Sequence, residues 1–185
     1  MKLFYEEQEN GKYIKSYGDE TLDVRLDDVI IGMQSKPGVE IQKIEVEEMA
    51  ELDIDLDPAS CEEANKIVKA SKYYSLEVDG LSQSWTGNIW LNPPFSQVSK
   101  FIDKLLDSDI NQAIVLVNNA TETGWFKQIA THASAIVFHT GRLRFMKPGH
   151  IESAPMQGQC FIYLGNRPEA FLSEFSQYGW GTRLG

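Results

Sequence analysis

The chain has 185 residues, of which 42% are hydrophobic and 24% charged, a composition typical of a globular protein with a sizeable core. No apolar run is long enough to span a bilayer, and the polar, acidic first ten residues argue against a secretory signal, so we expect a cytoplasmic protein without a membrane partner. Cys61 and Cys160 lie far apart, and no cysteine or histidine shows metal-ligand spacing, so we expect reduced thiols and no metal.

Charge is unevenly distributed along the chain. The net charge is −10, but residues 1–57 hold 16 acids against 6 bases, whereas residues 58–185 hold 11 of each. This shift predicts a domain boundary, with an acidic, strand-rich appendage over residues 1–50 and a main domain over residues 51–185. The acidic face is expected to be solvated, and the alternative is a phosphate mimic lying over a nucleic-acid groove.

The appendage reads as a set of strands. Asn10-Gly11 is a strong hairpin signal between strands expected at 2–6 and 12–17. Two more strands are expected at 29–33 and 39–46. No chemistry is evident in this part of the chain.

Residues 54–60 read Ile-Asp-Leu-Asp-Pro-Ala-Ser, a short strand that ends in an acid and a proline. Ser60 is the expected N-cap of a helix over about 61–70. A strand–turn–helix is where α/β folds place a ligand, so Asp57 could bond a ribose or an ammonium group, or it could merely cap the turn. Asp79, in the turn Asp79-Gly80, could accept from an adenine amino group of a cofactor, or it could be an ordinary loop acid.

Residues 89–96 read Ile-Trp-Leu-Asn-Pro-Pro-Phe-Ser, a buried strand that two prolines stop. The Asn92 side-chain oxygen and the Pro93 carbonyl are two acceptors, which match the two donors of an exocyclic amino group. Phe95 offers a ring on which a planar base can stack. The motif favours methylation of an amine by a sulfonium donor, although the same residues can form an ordinary stop signal.

Strand and helix alternate through the rest of the chain. They are expected at 98–106 (helix), 112–118 (strand), 122–131 (helix), 133–139 (strand), 161–164 (strand) and 168–175 (helix). This alternation predicts a doubly wound α/β sheet with Asn92 at the carboxyl end of one strand. His132, His139 and His150 have no partners that suggest catalysis, and each is expected to be a surface or core histidine.

A basic cluster follows the strand that ends near His139. Arg142, Arg144 and Lys147 could contact phosphates, with Phe145 and Met146 between them. The alternative is a solvated hairpin whose arginines pair with local acids. The length of this loop favours the functional interpretation.

Several segments also occur in a fixed and specific order. They are Asp55-Leu56-Asp57-Pro58-Ala59-Ser60, Lys69-Ala70 with Tyr73-Tyr74, Asp79-Gly80-Leu81 with Trp85, Trp90-Leu91-Asn92-Pro93-Pro94-Phe95-Ser96, Thr123-Gly124-Trp125-Phe126 and Gly141-Arg142-Leu143-Arg144-Phe145. In these segments, over residues 53–180, the chain resembles the phage-type DNA N6-adenine methyltransferases. The resemblance implies a class I methyltransferase (Rossmann-like) sheet, S-adenosyl-L-methionine as cofactor and double-stranded DNA as partner.

The resemblance also implies roles for single residues. Catalysis would fall to Asn92, Pro93, Pro94 and Phe95, with Phe95 where tyrosine is more usual. The cofactor would be bound by Asp57, Pro58, Ala59, Ser60 and Asp79. DNA would be contacted by Ser96, Arg142, Arg144 and Lys147, after the target adenine is flipped out of the duplex. A phage- or prophage-encoded protein of a bacterial host is the expected source.

Two other functions remain open at this point. Family members usually carry an aromatic-Thr-Pro segment before the first acid, and residues 41–52 lack it. That departure, with the acidic first third, favours a catalytically silent relative that acts as a binding or anti-restriction protein. The other possibility is methylation of a different amine, such as a glutamine side chain in a protein, because the Asn-Pro-Pro-aromatic pocket suits any planar amide.

Overall fold

A computed structural model of the chain describes residues 53–143 and 157–185, together with the backbone of five short strands at 4–7, 12–17, 20–25, 146–147 and 150–151. The strands expected at 29–33 and 39–46 lie outside the described residues. The same is true of Arg144 and of the side chain of Lys147, so their predicted roles stay predictions.

The first three strands form an antiparallel sheet of their own. They are β1 (Phe4–Glu7), β2 (Lys12–Tyr17) and β3 (Glu20–Arg25), paired in that order. The pairing of β1 with β2 confirms the predicted hairpin around Asn10-Gly11, although β1 begins and ends later than expected. Strand β3 was not predicted. Whether residues 1–50 form a separate domain stays a prediction.

Strands and helices alternate along most of the rest of the chain. In chain order they are β4 (Leu56–Asp57), α1 (Glu62–Val68), β5 (Lys72–Tyr73), β6 (Gly87–Leu91), α2 (Val98–Leu106), β7 (Ile110–Asn118), α3 (Gly124–His132), β8 (Ala135–His139), β9 (Met146–Lys147), β10 (His150–Ile151), β11 (Gln159–Leu164), α4 (Pro168–Phe175) and β12 (Gly179–Arg183). Strands β9 and β10 pair as a small antiparallel hairpin. Within the described residues, none of these helices is long and apolar enough to cross a membrane.

Seven strands form the main sheet, in the order β5-β4-β6-β7-β11-β8-β12. Strands β5, β4, β6 and β7 are parallel, and β11 runs antiparallel to both of its neighbours, β7 and β8. Strand β8 therefore points the same way as β7. The carboxyl ends of these parallel strands and the amino end of β11 meet at one edge, which we call the carboxyl edge. The predicted α/β class is confirmed by this mixed sheet and the helices around it.

Apolar side chains cover both faces of the sheet. On one face Trp90, Leu116, Phe161 and Phe175 belong to a buried group, the Trp90 cluster, to which α1 and α4 contribute. On the other face residues of α2 and α3 pack against the alternate positions of the strands. Residues 113–117 in β7 are at most 4% exposed, as expected for a central strand covered on both faces.

The start of α1 corrects one prediction. Ser60 is not its N-cap, because the cap is Cys61, whose sulfur accepts from the Ala64 N–H at 3.4 Å. Ser60 is used differently, since its own N–H donates to the Tyr74 carbonyl at 2.9 Å and its side chain is buried. Glu62 and Glu63 occupy the first turn of α1, where negative charge is favourable.

Candidate active site

The Asn-Pro-Pro-Phe motif marks the point where β6 leaves the sheet. The strand ends at Leu91, and Pro94 has the extended backbone of a residue that ends a strand, with φ −56° and ψ 127°. A single 3₁₀ turn over Phe95–Gln97 follows, closed by the Gln97 N–H donating to the Pro94 carbonyl at 2.9 Å, and it leads directly into α2. The prolines thus break the ladder while Asn92 stays inside the fold.

Asn92 is a buried amide without partners. Its side chain is 3% exposed, and neither Oδ1 nor Nδ2 makes a hydrogen bond within the part of the chain that the structure describes. An unsatisfied buried polar group costs about 1–3 kcal/mol, so each such group needs a partner, which a ligand or an ordered water can supply. Beside it Pro93 is buried, and the half-buried Phe95 packs against the Trp90 cluster.

Asp57 lies at the end of the neighbouring strand, β4. It is 2% exposed, and burial raises the pKa of its carboxyl to about 7, opposed by the nearby Ser60 hydroxyl and the Ala59 N–H. The Ala59 N–H donates to Asp57 Oδ1 at 3.2 Å. The Ser60 hydroxyl lies close enough to the Asp57 carboxyl to oppose that rise in pKa, but Ser60 Oγ makes no hydrogen bond of normal geometry within the described residues.

A cavity of about 310 Å³ opens beside Asp57 and Asn92, within the usual range for small-molecule sites. It is lined by Pro58, Ala59, Ser60, Tyr74, Ser75, Leu76, Asp79, Gly80, Pro94, Gln97 and Phe101. Asp79 lies exposed on its rim, in the left-handed region at φ 52°, and accepts from the Leu81 N–H at 3.2 Å. The structure therefore brings four of the five predicted cofactor residues into the cavity wall, and the fifth, Asp57, directly precedes the first of them in the chain.

The walls of this cavity are tied together by hydrogen bonds. The Tyr74 N–H donates to the Asp57 carbonyl at 2.9 Å, and the Tyr74 hydroxyl donates to the Ser84 carbonyl at 3.2 Å. The buried Trp85 Nε1 donates to the Gly80 carbonyl at 2.8 Å. Gly80 approaches Pro58 so closely that a Cβ on it would overlap the Pro58 carbonyl oxygen.

The close approach at Gly80 leads to a prediction. Gly80→Ala is expected to lower the free energy of unfolding by about 1–3 kcal/mol, because backbone has to move to make room for the methyl group. The matched control is Gly124→Ala at the start of α3, where a Cβ would meet nothing within 4 Å. That change is expected to be neutral or to stabilise by up to about 1 kcal/mol. Denaturant unfolding of both variants checks this, and equal effects would contradict it.

A second polar group lies farther along the carboxyl edge. The fully buried Gln159 side chain bonds Asn118 and the backbone near Leu143, and His139 is 7% exposed. Burial lowers the pKa of His139, against a smaller opposing effect of the Gly141 backbone. Neither His139 ring nitrogen makes a hydrogen bond of normal geometry within the described residues. The expectation of a surface or core histidine is met at His139, which is buried, but the absence of a hydrogen-bond partner at its ring was not predicted, and Gln159 was not singled out.

Burial of polar groups is thus concentrated at one place. Leaving aside tyrosine, tryptophan and cysteine, the described polar or charged residues that are buried are Asp57, Ser60, Asn92, His139 and Gln159. All five lie at the carboxyl edge, where parallel strands open a crevice for ligands.

The predicted DNA contacts are less enclosed. Ser96 is exposed on the turn after Pro94, and Arg142 is exposed just beyond β8. Lys147 is the second residue of the short strand β9. Within the described residues, no group of three or more acidic, histidine or cysteine side chains is arranged to hold a metal ion.

Comparison with known families adds an independent observation. The model of the DNA N-6-adenine-methyltransferase (Dam) family matches residues 43–170, more than two thirds of the chain. The matched span contains Asp57, the cavity walls, Asn92 and Gln159. A search of the curated proteins finds no match. On the family match, the chain belongs to the DNA N-6-adenine-methyltransferase (Dam) family.

Proposed function

We propose that this protein is a DNA methyltransferase that uses S-adenosyl-L-methionine to methylate the N6 amine of adenine. The observation that carries the proposal is the Asn92 amide, buried at the carboxyl edge with both polar atoms unpartnered within the described residues. The membership in the Dam family supports DNA as the substrate and adenine as the base.

Asn92 and Pro93 would hold the amine that is methylated. An adenine amino group has two N–H donors, and the Asn92 Oδ1 and the Pro93 carbonyl are two acceptors on consecutive residues. When both donors are engaged, the nitrogen lone pair is drawn out of conjugation with the ring. The nitrogen then becomes nucleophilic without a general base, so positioning and electrostatics supply most of the acceleration.

Phe95 would hold the plane of the base. Its ring is half-buried against the Trp90 cluster, which fixes its orientation. A flipped adenine needs such an aromatic face, because it loses its stacking partners when it leaves the duplex. Ser96, Arg142, Arg144 and Lys147 would contact the DNA around it.

The cavity beside Asp57 fits the cofactor. The buried carboxyl of Asp57 suits a cationic ligand, the buried Ser60 hydroxyl in the cavity wall suits a polar one, and Asp79 lies on the rim. When bound there, S-adenosyl-L-methionine supplies an activated methyl group on a positively charged sulfur. Strands β4 and β6 are neighbours, with Leu56 opposite Ile89, so the cavity adjoins the Asn92 motif. The sheet order supports a Rossmann-like class I methyltransferase fold, in which β11 would be the antiparallel strand.

Transfer of labelled methyl groups to unmethylated DNA tests the proposal. We expect the wild-type protein to yield N6-methyladenine on nucleoside analysis, and to bind the donor in a separate titration. The absence of both methyl transfer and donor binding would overturn the proposal. If the protein transferred no methyl group but competed with DNA for a DNA-binding protein, the second candidate, a silent binding protein, would be favoured. The 16 acids of residues 1–57 support that candidate.

A further inference from the structure

Gln159 makes three hydrogen bonds although it is fully buried. Its Oε1 accepts from the Leu143 N–H at 2.9 Å, and its Nε2 donates to Asn118 Oδ1 at 3.1 Å and to the Gln157 carbonyl at 2.8 Å. The acceptor and both donors of the amide are therefore in use. A buried amide this well satisfied is rigid, because each bond opposes its rotation.

These bonds join two parts of the proposed active site. Leu143 is the second residue after the exposed Gly141, its side chain is buried in the Trp90 cluster, and Arg142 lies exposed directly before it. Asn118 ends β7, the strand next to β6, which runs into Asn92. The Gln159 side chain thus connects the backbone next to Arg142 with the end of β7, the strand beside the one that leads into Asn92.

We propose that Gln159 is a positioning residue for DNA, which fixes the backbone at Leu143 so that Arg142 points its charge at the substrate side of the carboxyl edge. The inference rests on the proposed function, in which Arg142 contacts DNA. Ordering a loop when it binds DNA costs backbone conformational entropy, and a backbone that is already held at Leu143, directly after Arg142, lowers that cost.

Gln159 is held by hydrogen bonds in a largely apolar part of the sheet. Cys160 and Phe161, the next residues of β11, are fully buried and apolar, so the core itself accepts an apolar side chain at this level of the sheet. The same two strands, β11 and β7, are also bridged at the opposite edge, where the Tyr163 hydroxyl donates to Gln112 Oε1 at 2.6 Å. The sheet therefore offers a matched control for a bridge far from the site.

The test compares Gln159→Met with Tyr163→Phe. Each variant removes a side-chain bridge between β11 and β7, and both are examined for DNA affinity by fluorescence anisotropy on an adenine-containing duplex, for donor affinity and for melting temperature. We expect Gln159→Met to weaken DNA binding about tenfold, the equivalent of one well-placed charged contact, and to leave donor binding unchanged. Tyr163→Phe is expected to leave both affinities unchanged.

A double-mutant cycle with Arg142→Ala separates positioning from general damage. Because Gln159 would act through Arg142, Gln159→Met is expected to add little to the loss already caused by Arg142→Ala, and each single change should reduce the salt dependence of binding by about one phosphate contact. Gln159→Glu, with its buried carboxyl protonated, keeps an acceptor for the Leu143 N–H and a donor for Asn118 Oδ1. At mildly acidic pH it is expected to bind DNA better than Gln159→Met, and it provides a variant if the methionine protein does not fold.

Each outcome decides the inference. Equal DNA affinity of Gln159→Met and wild type, or losses that add fully in the Arg142→Ala background, would overturn the positioning role and leave the proposed function standing. A wild-type protein that binds no DNA would overturn the inference together with the proposed function. The measurement of DNA affinity does not depend on methyl transfer, so a silent relative that binds DNA gives the same readout.

Discussion

Asn92→Ala is expected to slow methyl transfer to adenine by about 10³-fold, the loss seen when a preorganised group that stabilises developing charge is removed. The change deletes the side-chain acceptor that holds the amine, so the nitrogen lone pair stays conjugated with the ring. Donor affinity should be retained, because the cavity that would hold the donor is lined by other side chains. Single-turnover transfer of labelled methyl groups, with product analysis, measures the effect.

Stability should respond in the opposite way. Asn92 leaves two buried polar atoms unpartnered within the described residues, so removing them takes away a cost of about 1–3 kcal/mol rather than a favourable bond. We expect the ligand-free Asn92→Ala protein to melt at the same temperature as wild type or higher. The matched control is Asn88→Ala, at the other end of β6, where the amide donates to the Asp53 carbonyl at 3.0 Å. That variant should lose some stability and keep its activity, and wild-type rates in Asn92→Ala would refute the assigned role.

Asp57→Asn is expected to abolish most of the affinity for the donor and to remove its pH dependence. Burial raises the pKa of Asp57 to about 7, so the carboxyl is largely neutral below that pH and charged above it. A cationic donor binds the charged form, and its affinity for the wild-type protein should therefore rise about tenfold per pH unit up to about pH 7, then level off. Donor titrations between pH 5 and 9 check both statements.

The same carboxyl shapes the stability of the ligand-free protein. Its pKa is higher in the folded state than the ordinary value of 3.8, so the folded protein binds the proton more tightly than the unfolded chain does. The stability that this one carboxyl contributes is therefore fully present below about pH 4 and is lost as the pH rises through about 7. Asp57→Asn avoids this loss, and at pH 8 it should raise the free energy of unfolding by at most about 4 kcal/mol.

Asp55→Asn is the control for Asp57→Asn. Asp55 lies two residues earlier and is exposed, with its Oδ2 accepting from the Asn88 N–H at 2.7 Å, a bond that an asparagine oxygen can also accept. We expect unchanged donor affinity and an unchanged pH profile. If Asp55→Asn and Asp57→Asn weakened the donor equally, the effect would come from overall charge and not from a site.

The sequence allowed the regular elements with strong signals to be predicted. The bounds of α2 and α4 agree with the residues expected, because each helix has apolar residues at helical spacing and is preceded by polar residues. Asp57 and Asn92 were also found, since each ends an apolar run beside a proline. Strand β12 was missed because Gly-Trp-Gly-Thr-Arg shows no clear alternation, as is common for an exposed edge strand.

The parts that the sequence did not predict depend on contacts between distant residues. Ser60 has the chemistry of an N-cap, and only the bond from its N–H to Tyr74 shows why Cys61 takes that role. Nothing local distinguishes Gln159 from any other polar residue at the start of a strand, because two of its three hydrogen-bond partners lie 16 and 41 positions away. Likewise the burial of His139 follows from the strands on either side of it, β11 and β12.

The position of β11 has a consequence for how the chain folds during synthesis. Strands β7 and β8 leave the ribosome well before β11, yet β11 lies between them, so neither can complete its pairing until residues 159–164 have been made. Until then two apolar strands present open edges, which is when a nascent chain is most prone to aggregate or to recruit a chaperone. A nascent chain released before residue 159 would keep the Asn92 motif and the cavity residues but would lack the strand that joins the two halves of its sheet.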